Sequence, residues 1–599
     1  MKVVVDIEAD GLRPKHIWCV CCYEVDTKEW KVFREGQEQE CKEYLEGADL
    51  IIGHNIIDFD IPVLRNLWNV QVGVDKVYDT LVMSRLACPK RARGHSLKEW
   101  GIALGNYKDH FEDWTHWSEE MEEYCKQDVR VTYDVYRRVQ QELAGFSPLS
   151  IALEHRSQWL LSIQHYNGFD FDMNAAIELK NKMISEYFIL IKKLQEAFPP
   201  RKVLKCTYQA RYKKDGTLTA KSQEIISRDN VEPAEEQGIY NVYEYKEFLI
   251  DSPAEIVERL KPYWKPVVWN KPSKKNPDRP VTPKVCDENL ETVGPDAPEA
   301  IKDLVRCKIL KSRSTLVQSF IDACWEDGRV HGDVISVGAS SNRMAHRNPN
   351  TGNIPSEGSL YGSDCRALYK APEGKLIVGC DASGIQLRAL AHYVGDEELI
   401  HQILHGDIHV HLAKIYGLMP NEEYDESNPV HKKARKTGKT ITYSILMGAG
   451  EAKVGSLAGG DKKLGKKIIQ KIEAGIKGWS RFKRTIETRA KIGYFKALDG
   501  RLINLPNAHK GMSFYLQSFE QAVVKWVMWK AYQRLTKAGY DFKQIAVVHD
   551  EIQYEVREDQ AEEVGKIVQQ CFRDATEFFH SKCPLEGEYK IGKSWKDSH

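Results

Sequence analysis

Apolar positions in the first part of the chain come in short blocks that stop at charge. Residues 2–5 form a β-branched run ending at Asp6, Ile17–Tyr23 is a second apolar run, and Leu50–Ile52 is a third. Helical spacing takes over at Ile61–Trp68 and again at Glu119–Leu143. Strands interleaved with helices predict an α/β domain over residues 1–147, with Pro148 in Gly-Phe-Ser-Pro as the linker behind it. From Leu149 to Phe198 the pattern is that of two long amphipathic helices broken at Asn167-Gly168. Lys213-Lys214-Asp215-Gly216 between β-prone runs predicts a hairpin, and Lys271–Pro283, rich in Lys, Asn and Pro, predicts an exposed loop. Helices resume near Ala300. A mixed region runs to about His409, a helix-rich stretch to about Ile492, and the last hundred residues alternate helix and strand. No internal repeat is visible.

Composition narrows the class. With 599 residues, 42% of them hydrophobic, the chain has material for several cores and about four domains or subdomains, so disorder is excluded. The 86 basic and 86 acidic residues cancel, which excludes a uniformly basic coat protein but not local nucleic-acid binding. Residues 461–491 hold 11 Lys/Arg against 3 Asp/Glu. The cysteines are expected as reduced thiols, the tightest group being Cys19, Cys21 and Cys22 in a strand-like run. Met-Lys-Val-Val-Val-Asp reaches charge too soon for a signal peptide, and no run approaches the roughly 18 to 20 apolar residues of a membrane helix. A cytoplasmic location is expected.

Candidate chemistry lies in two carboxylate sets. Asp6 and Glu8 stand two apart at the end of the first strand, on one side of it. Asp60 follows the third strand in G-H-N-I-I-D-F-D, with Asp58 as an alternative, and Tyr124 and Asp128 share a helix face at i, i+4. Each acid alone suits a solvated surface. Together, carboxylates from separate segments suit two divalent cations about 3.5–4 Å apart, with Tyr124 orienting a water. The motifs D-I-E-A-D-G, H-N-x-x-x-F-D and Y-x-x-x-D resemble proofreading 3′–5′ exonucleases of the DEDD type. That resemblance implies Asp6, Glu8, Asp60 and Asp128 as metal ligands.

The second set pairs Asp381, where an apolar strand passes through a small-residue turn into a helix, with Asp550 in V-V-H-D-E-I-Q, a predicted buried hairpin with acids at its tip. Between them Arg435, Lys439 and Tyr443 recur every four residues, one stripe on a helix: two cations and then a ring, matching phosphates and then a base. D-A-S-G-I-Q-L-R, R-K-T-G-K-T-I-T-Y-S-I-L-M-G-A-G and V-V-H-D-E-I-Q resemble motifs A, B and C of family A DNA polymerases, in particular the replicative enzymes of short-tailed bacteriophages. N-R-M-A-H-R-N-P-N-T-G-N-I-P at 342–355 and G-D-I-H at 406–409 support it.

The resemblance implies an α/β multidomain protein, a ribonuclease H-like exonuclease domain followed by a right-hand polymerase. Its parts would be exonuclease 1–147, thumb 148–335 with an insert at about 201–300, palm 336–408 and 495–599, and fingers 409–494. It implies template-directed primer extension with dNTPs and proofreading. Asp381, the Ala382 carbonyl and Asp550 would hold two Mg²⁺, as the exonuclease acids would hold two more, with Mn²⁺ as a substitute. Arg435, Lys439 and His409 would grip the triphosphate, Lys439 doubling as general acid, and Tyr443 would stack near sugar and base. Arg343 and Gln517 would read minor-groove acceptors, with His549 and Glu551 beside the primer terminus. Expected partners are primer–template DNA, dNTPs and a replisome helicase or processivity factor, for a monomer off the membrane. The insert looks too short to imply thioredoxin.

The pattern departs from the family in a few places. Motif A usually carries Glu where this chain has Gln386, the side chain filling the space of a ribose 2′-hydroxyl, so weaker sugar discrimination is expected. Met447 replaces a Tyr, and Ser341-Asn342-Arg343 replaces Thr-Gly-Arg. Tyr443, where many relatives have Phe, predicts ready dideoxynucleotide incorporation. The rivals, a repair nuclease, a non-catalytic scaffold and a single-subunit RNA polymerase, are disfavoured by the paired acids, the exonuclease motifs and the bulk of Gln386.

Overall fold

A computed structural model describes residues 1–107, 111–273, 276 and 280–599. By internal contacts the chain divides into two units, Met1–Asp172 with Ala323–His599, and Met173–Asp322.

The first unit begins with strands β1 (Lys2–Ala9), β2 (Ile17–Glu24), β3 (Trp30–Arg34), β4 (Leu50–Gly53) and β5 (Val77–Asp79). They form one sheet in the order β3-β2-β1-β4-β5, antiparallel on the β3 side and parallel on the β5 side. β1 runs past the β-branched segment because Ile7 and Ala9 are also buried and β2 pairs along its length. Asp6 and Glu8 therefore lie inside a strand, not beyond its end. Helix α1 (Asp60–Trp68) follows β4, and α2 (Glu119–Glu142) opens on Ser118, whose hydroxyl accepts from Met121 N–H at 3.1 Å. Cys125, Asp128, Val129, Val135 and Val139 form the buried face of α2.

Pro148 is no linker. It is the first residue of α3 (Pro148–Asn167), where its missing N–H costs nothing, and Ser147 caps the helix through Ser150 N–H at 3.0 Å. A helix starting there removes the break that Gly-Phe-Ser-Pro predicts.

The second sheet of this unit joins β6 (Lys375–Ala382), β7 (Phe542–Val548), β8 (Glu551–Arg557) and β9 (Gly587–Gly592), antiparallel in the order β7-β8-β6-β9. Around it stand α4 (Ile385–Val394), α5 (Ile408–Tyr416), α6 (Pro429–Leu446) and α7 (Gly511–Ala538). The basic stretch after α6 is helical at Lys462–Gly475 and Trp479–Ile492. Each sheet has its own apolar core. α3 packs on both β7 and α7.

In the second unit, helices Met173–Ala197 and Glu299–Asp322 pack together, beside a three-stranded sheet with Ile239–Lys246 between Arg201–Gln209 and Val231–Pro233. The segment expected as a thumb, 148–335, thus contributes residues 148–172, α3 among them, and 323–335 to the first unit. The turn at Lys213–Gly216 is present, closed by a Tyr212–Leu218 bridge with Gly216 at φ 81°. In the predicted loop Lys271–Pro283, residues 274, 275 and 277–279 lie outside the described residues. All fourteen cysteines are thiols. Among the described residues no helix is long and apolar enough to cross a membrane.

Candidate functional site

The first carboxylate set is assembled by strand register. Antiparallel pairing puts Asp6 opposite Cys21 and Glu8 opposite Cys19, so two acids and two thiols share one face of the sheet. α2 crosses that face, and the Cys125 Sγ–H points to the Asp6 carbonyl oxygen at 3.4 Å and to Asp6 Oδ2 at 3.7 Å. Asp128, three residues further along, is buried on the same helix face. Asp60 opens α1, and its carboxylate is near enough to β1 for the Ile7 backbone, between Asp6 and Glu8 in the strand, to favour its charged form. Burial pushes the Asp60 carboxyl up to about 7. Asp58 is drawn elsewhere, since both its oxygens accept from Gln158 Nε2 of α3 at 2.9 and 3.0 Å. Tyr124 packs against Phe111 at a tilt and against Trp114 edge-on, each ring centroid 5.7 Å away. Clustered buried carboxylates are the oxygen donors that hard divalent cations prefer, and such cations offset the cost of burying the charge.

The second set is built at strand ends. β7 and β8 are joined by a two-residue loop, His549-Asp550, with His549 at φ 58°. β8 pairs with β6, setting Asp381 opposite Glu551, and Ala382 N–H donates to the Asp550 carbonyl oxygen at 3.2 Å. Burial pushes Asp381 up to about 6, reinforced by the Glu551 charge. Burial also pushes Asp550 up to about 8, reinforced by Asp381 and then Glu520. Two solvent-accessible acids that repel one another, backed by the buried Glu551 and Glu520, again fit a divalent-cation site.

α6 brings the cationic stripe to these acids. It buries His431, Ala434, Gly438, Ile441 and Thr442. A Cβ on Gly438 would lie 2.9 Å from Ala413 Cβ, so glycine lets α6 lie close against α5. Arg435 Nε donates to Asp407 Oδ2 at 2.6 Å, while Asp407 caps α5 through the N–H groups of His409 and Val410, both at 3.0 Å. The His409 imidazole is held below its ordinary pKa by burial and by the Lys439 and Arg435 cations. The Tyr443 phenol is raised by burial and by the Asp550 and Asp381 charges. Gln517 Nε2 lies 3.4 Å from the Met447 sulfur. Arg343 forms a forked ion pair with Glu520, and Gln386 donates to the same carboxylate.

Several of these residues carry no sequence signal of their own. Glu551 is buried and turned to protein partners, accepting from Trp595 Nε1 at 3.2 Å and from Gln553, with His599 Nδ1 at 2.9 Å. His599 and Trp595 thus reach the Asp381 neighbourhood from outside every motif. Cys125 passes in sequence for a core thiol. Glu520 is the exception that could have been noticed, an acid beside Gln521 between the apolar residues Phe519 and Ala522–Val524.

The chain matches the family model described as DNA polymerase family A over residues 219–597 and that of the RNase H superfamily over residues 3–140. It is 28% identical to the DNA-directed DNA polymerase of Enterobacteria phage T3, with 100% of each chain covered. The DNA-directed DNA polymerase of Escherichia phage T7 matches at the same identity and coverage. Among solved structures, the POL domain of Pol1 from M. smegmatis, in complex with DNA primer-template and dNTP, superposes with TM-score 0.75 at 17% identity, covering 100% of this chain and 96% of that one. This last likeness establishes the fold.

Proposed function

The chain belongs to DNA polymerase family A, and on that premise we propose that its two carboxylate centres divide primer extension from primer shortening. It is a DNA-directed DNA polymerase with an RNase H-like domain of exonuclease type at its N-terminal end. Both domain families depend on divalent metal. Bound Mg²⁺, two per centre with Mn²⁺ as substitute, would activate the attacking oxygen and offset charge on the leaving one.

In the polymerase centre Asp381, the Ala382 carbonyl and Asp550 hold the cations, and Arg435, Lys439 and His409 grip the triphosphate. Lys439 gives a proton to the departing pyrophosphate. Tyr443 borders sugar and base, Gln386 crowds the 2′ position, and Arg343 and Gln517 test minor-groove geometry. His549 sits beside the primer terminus, with Glu551 bracing its hairpin. In the exonuclease centre Asp6, Glu8, Asp60 and Asp128 hold the cations, and Tyr124 orients the attacking water. Primer–template DNA and dNTPs are the substrates, and the protein serves phage replication.

One observation carries this reading. Strand pairing and the Ala382 N–H bond to the Asp550 carbonyl oxygen at 3.2 Å bring Asp381 beside the loop that carries Asp550, and the charges of both acids reach the Tyr443 phenol at the end of the α6 stripe. A 5′-labelled primer–template incubated with Mg²⁺, with and without dNTPs, tests it. Asp381→Ala should abolish extension and keep shortening, and Asp6→Ala with Glu8→Ala should do the reverse. Shortening with no extension by the unaltered chain would overturn the division of labour.

A further inference from the structure

Gln386 stands in the first turn of α4 and is only 7% exposed. Its Nε2 donates to Glu520 Oε2, and its Oε1 is buried without a hydrogen-bond partner. Among the described residues, the contact with Glu520 is therefore the one side-chain hydrogen bond that orients Gln386. A carboxylate only accepts, so it obliges the amide to turn its NH₂ inward and thereby fixes both the rotamer and the amide face. Glu520, 1% exposed in the middle of α7, also accepts from Arg343 Nε at 3.0 Å and from Arg343 Nη2 at 2.8 and 2.9 Å. The next residue on α7, Gln521, donates to the His549 carbonyl oxygen at 3.4 Å, tying this turn of the helix to the loop that carries Asp550.

We infer that Glu520 is a specificity-determining positioning residue: it supplies from α7 the carboxylate that residue 386 lacks, and holds Gln386 as a barrier to the ribose 2′-hydroxyl while pinning Arg343. This deepens, and rests on, the polymerase reading above. An unrestrained glutamine has three torsions and two amide faces, so a barrier made of it discriminates only while something holds it still. Glu520 does so with a charge-assisted hydrogen bond in a buried setting, where such a bond is strong. The same carboxylate meets Arg343, so the sugar barrier and the minor-groove contact share one anchor.

The test measures single-nucleotide insertion of dATP and ATP opposite template dT, as a ratio of kcat/KM values. It is run in a background carrying Asp6→Ala and Glu8→Ala, so that primer shortening does not remove the product. Glu520→Gln and Glu520→Ala should each lower the dATP-to-ATP ratio by about tenfold or more, the equivalent of one charged hydrogen bond. Gln386→Glu should impair insertion by setting two carboxylates against each other, and Gln386→Glu combined with Glu520→Gln should recover most of the lost ratio. Thermal unfolding of each variant identifies any that fails to fold, and Glu520→Gln and the exchanged pair preserve side-chain volume. If Glu520 only balances the charge of Arg343, both nucleotides will slow equally and the exchanged pair will recover nothing, which overturns the inference. Failure of the parent chain to insert dATP would instead overturn the reading beneath it.

Discussion

The hydroxyl of Tyr443 is a single atom with a measurable consequence. Its ring lies 6.1 Å from that of His409, at the end of the stripe that the Asp550 and Asp381 charges reach. On the proposed reading a phenol placed there would donate a hydrogen bond at the sugar, replacing contacts that a dideoxynucleotide loses with its 3′-oxygen. Tyr443→Phe is expected to reduce dideoxynucleotide insertion by about tenfold or more relative to the ordinary nucleotide, the worth of one strong hydrogen bond. Chain-termination ladders measure this directly, and equal termination by both proteins would count against the placement. At the same scale, Asp58 and Asp60 show how one hydrogen bond decides a role. The side chain bonded to Gln158 is held by α3, while Asp60, beside the Ile7 backbone, lies next to the acids of β1.

Between elements, two contacts hold the polymerase centre in register. The first is Gly438, where α6 lies on α5. Gly438→Ala adds about 1 kcal/mol of helix propensity, but its Cβ would lie 2.9 Å from Ala413 Cβ and 3.2 Å from Ala413 Cα. Overpacking of this kind costs about 1–3 kcal/mol and pushes the helices apart. Steady-state kinetics should show a several-fold rise in KM for dNTP, with primer shortening unchanged. A KM equal to that of the parent would show that the helices absorb the methyl group.

The second contact is a buried ion network joining α3 to α7. Lys525 Nζ donates to Glu154 Oε1 and Oε2 at 2.8 and 2.9 Å, and Arg501 Nη1 donates to Glu154 Oε2 at 2.8 Å. Burial pushes the Glu154 carboxyl up, but Lys525 and Arg501 outweigh it and hold the group at about 2. A depressed carboxyl pKa contributes stability that is fully present above the unfolded value, about 4.3, and is lost as pH falls through about 2. Glu154→Gln should lower stability by about 3–5 kcal/mol, because Lys525, already held down to about 8 by burial, loses the carboxylate that compensates its charge. Denaturant unfolding followed by tryptophan fluorescence checks it, and a change below about 1 kcal/mol would mean that Asp499, which accepts from Arg501 Nε at 2.7 Å, balances the site without Glu154.

For the whole molecule, a net charge of zero hides local fields. The stripe on α6 and the basic helices after it carry cations where DNA phosphates and the triphosphate are expected. Binding through phosphates releases counterions, so affinity for primer–template should fall by roughly a thousandfold or more between 50 and 200 mM salt, for about six or more contacts. Fluorescence anisotropy across that range would reveal it, and a flat profile would mean that phosphates do not dominate the interface.

The sequence by itself determined the pieces whose geometry is local. A β-branched run with alternate acids makes a strand presenting Asp6 and Glu8 together. A four-residue spacing lines up Arg435, Lys439 and Tyr443, and two apolar runs around His-Asp-Glu make the β7–β8 hairpin. Those patterns follow from backbone periods of 2 and 3.6 residues and can be read from a dozen neighbouring positions. The long-range partners were decided only by the tertiary structure: Gln386 with Glu520, Asp58 with Gln158, Cys125 with Asp6, Glu551 with His599, Glu154 with Lys525. Each joins separate elements, and no local period reports which buried polar group will meet which. Packing selects the partner, because a charge or amide removed from water must find a complementary group wherever the fold happens to bring one.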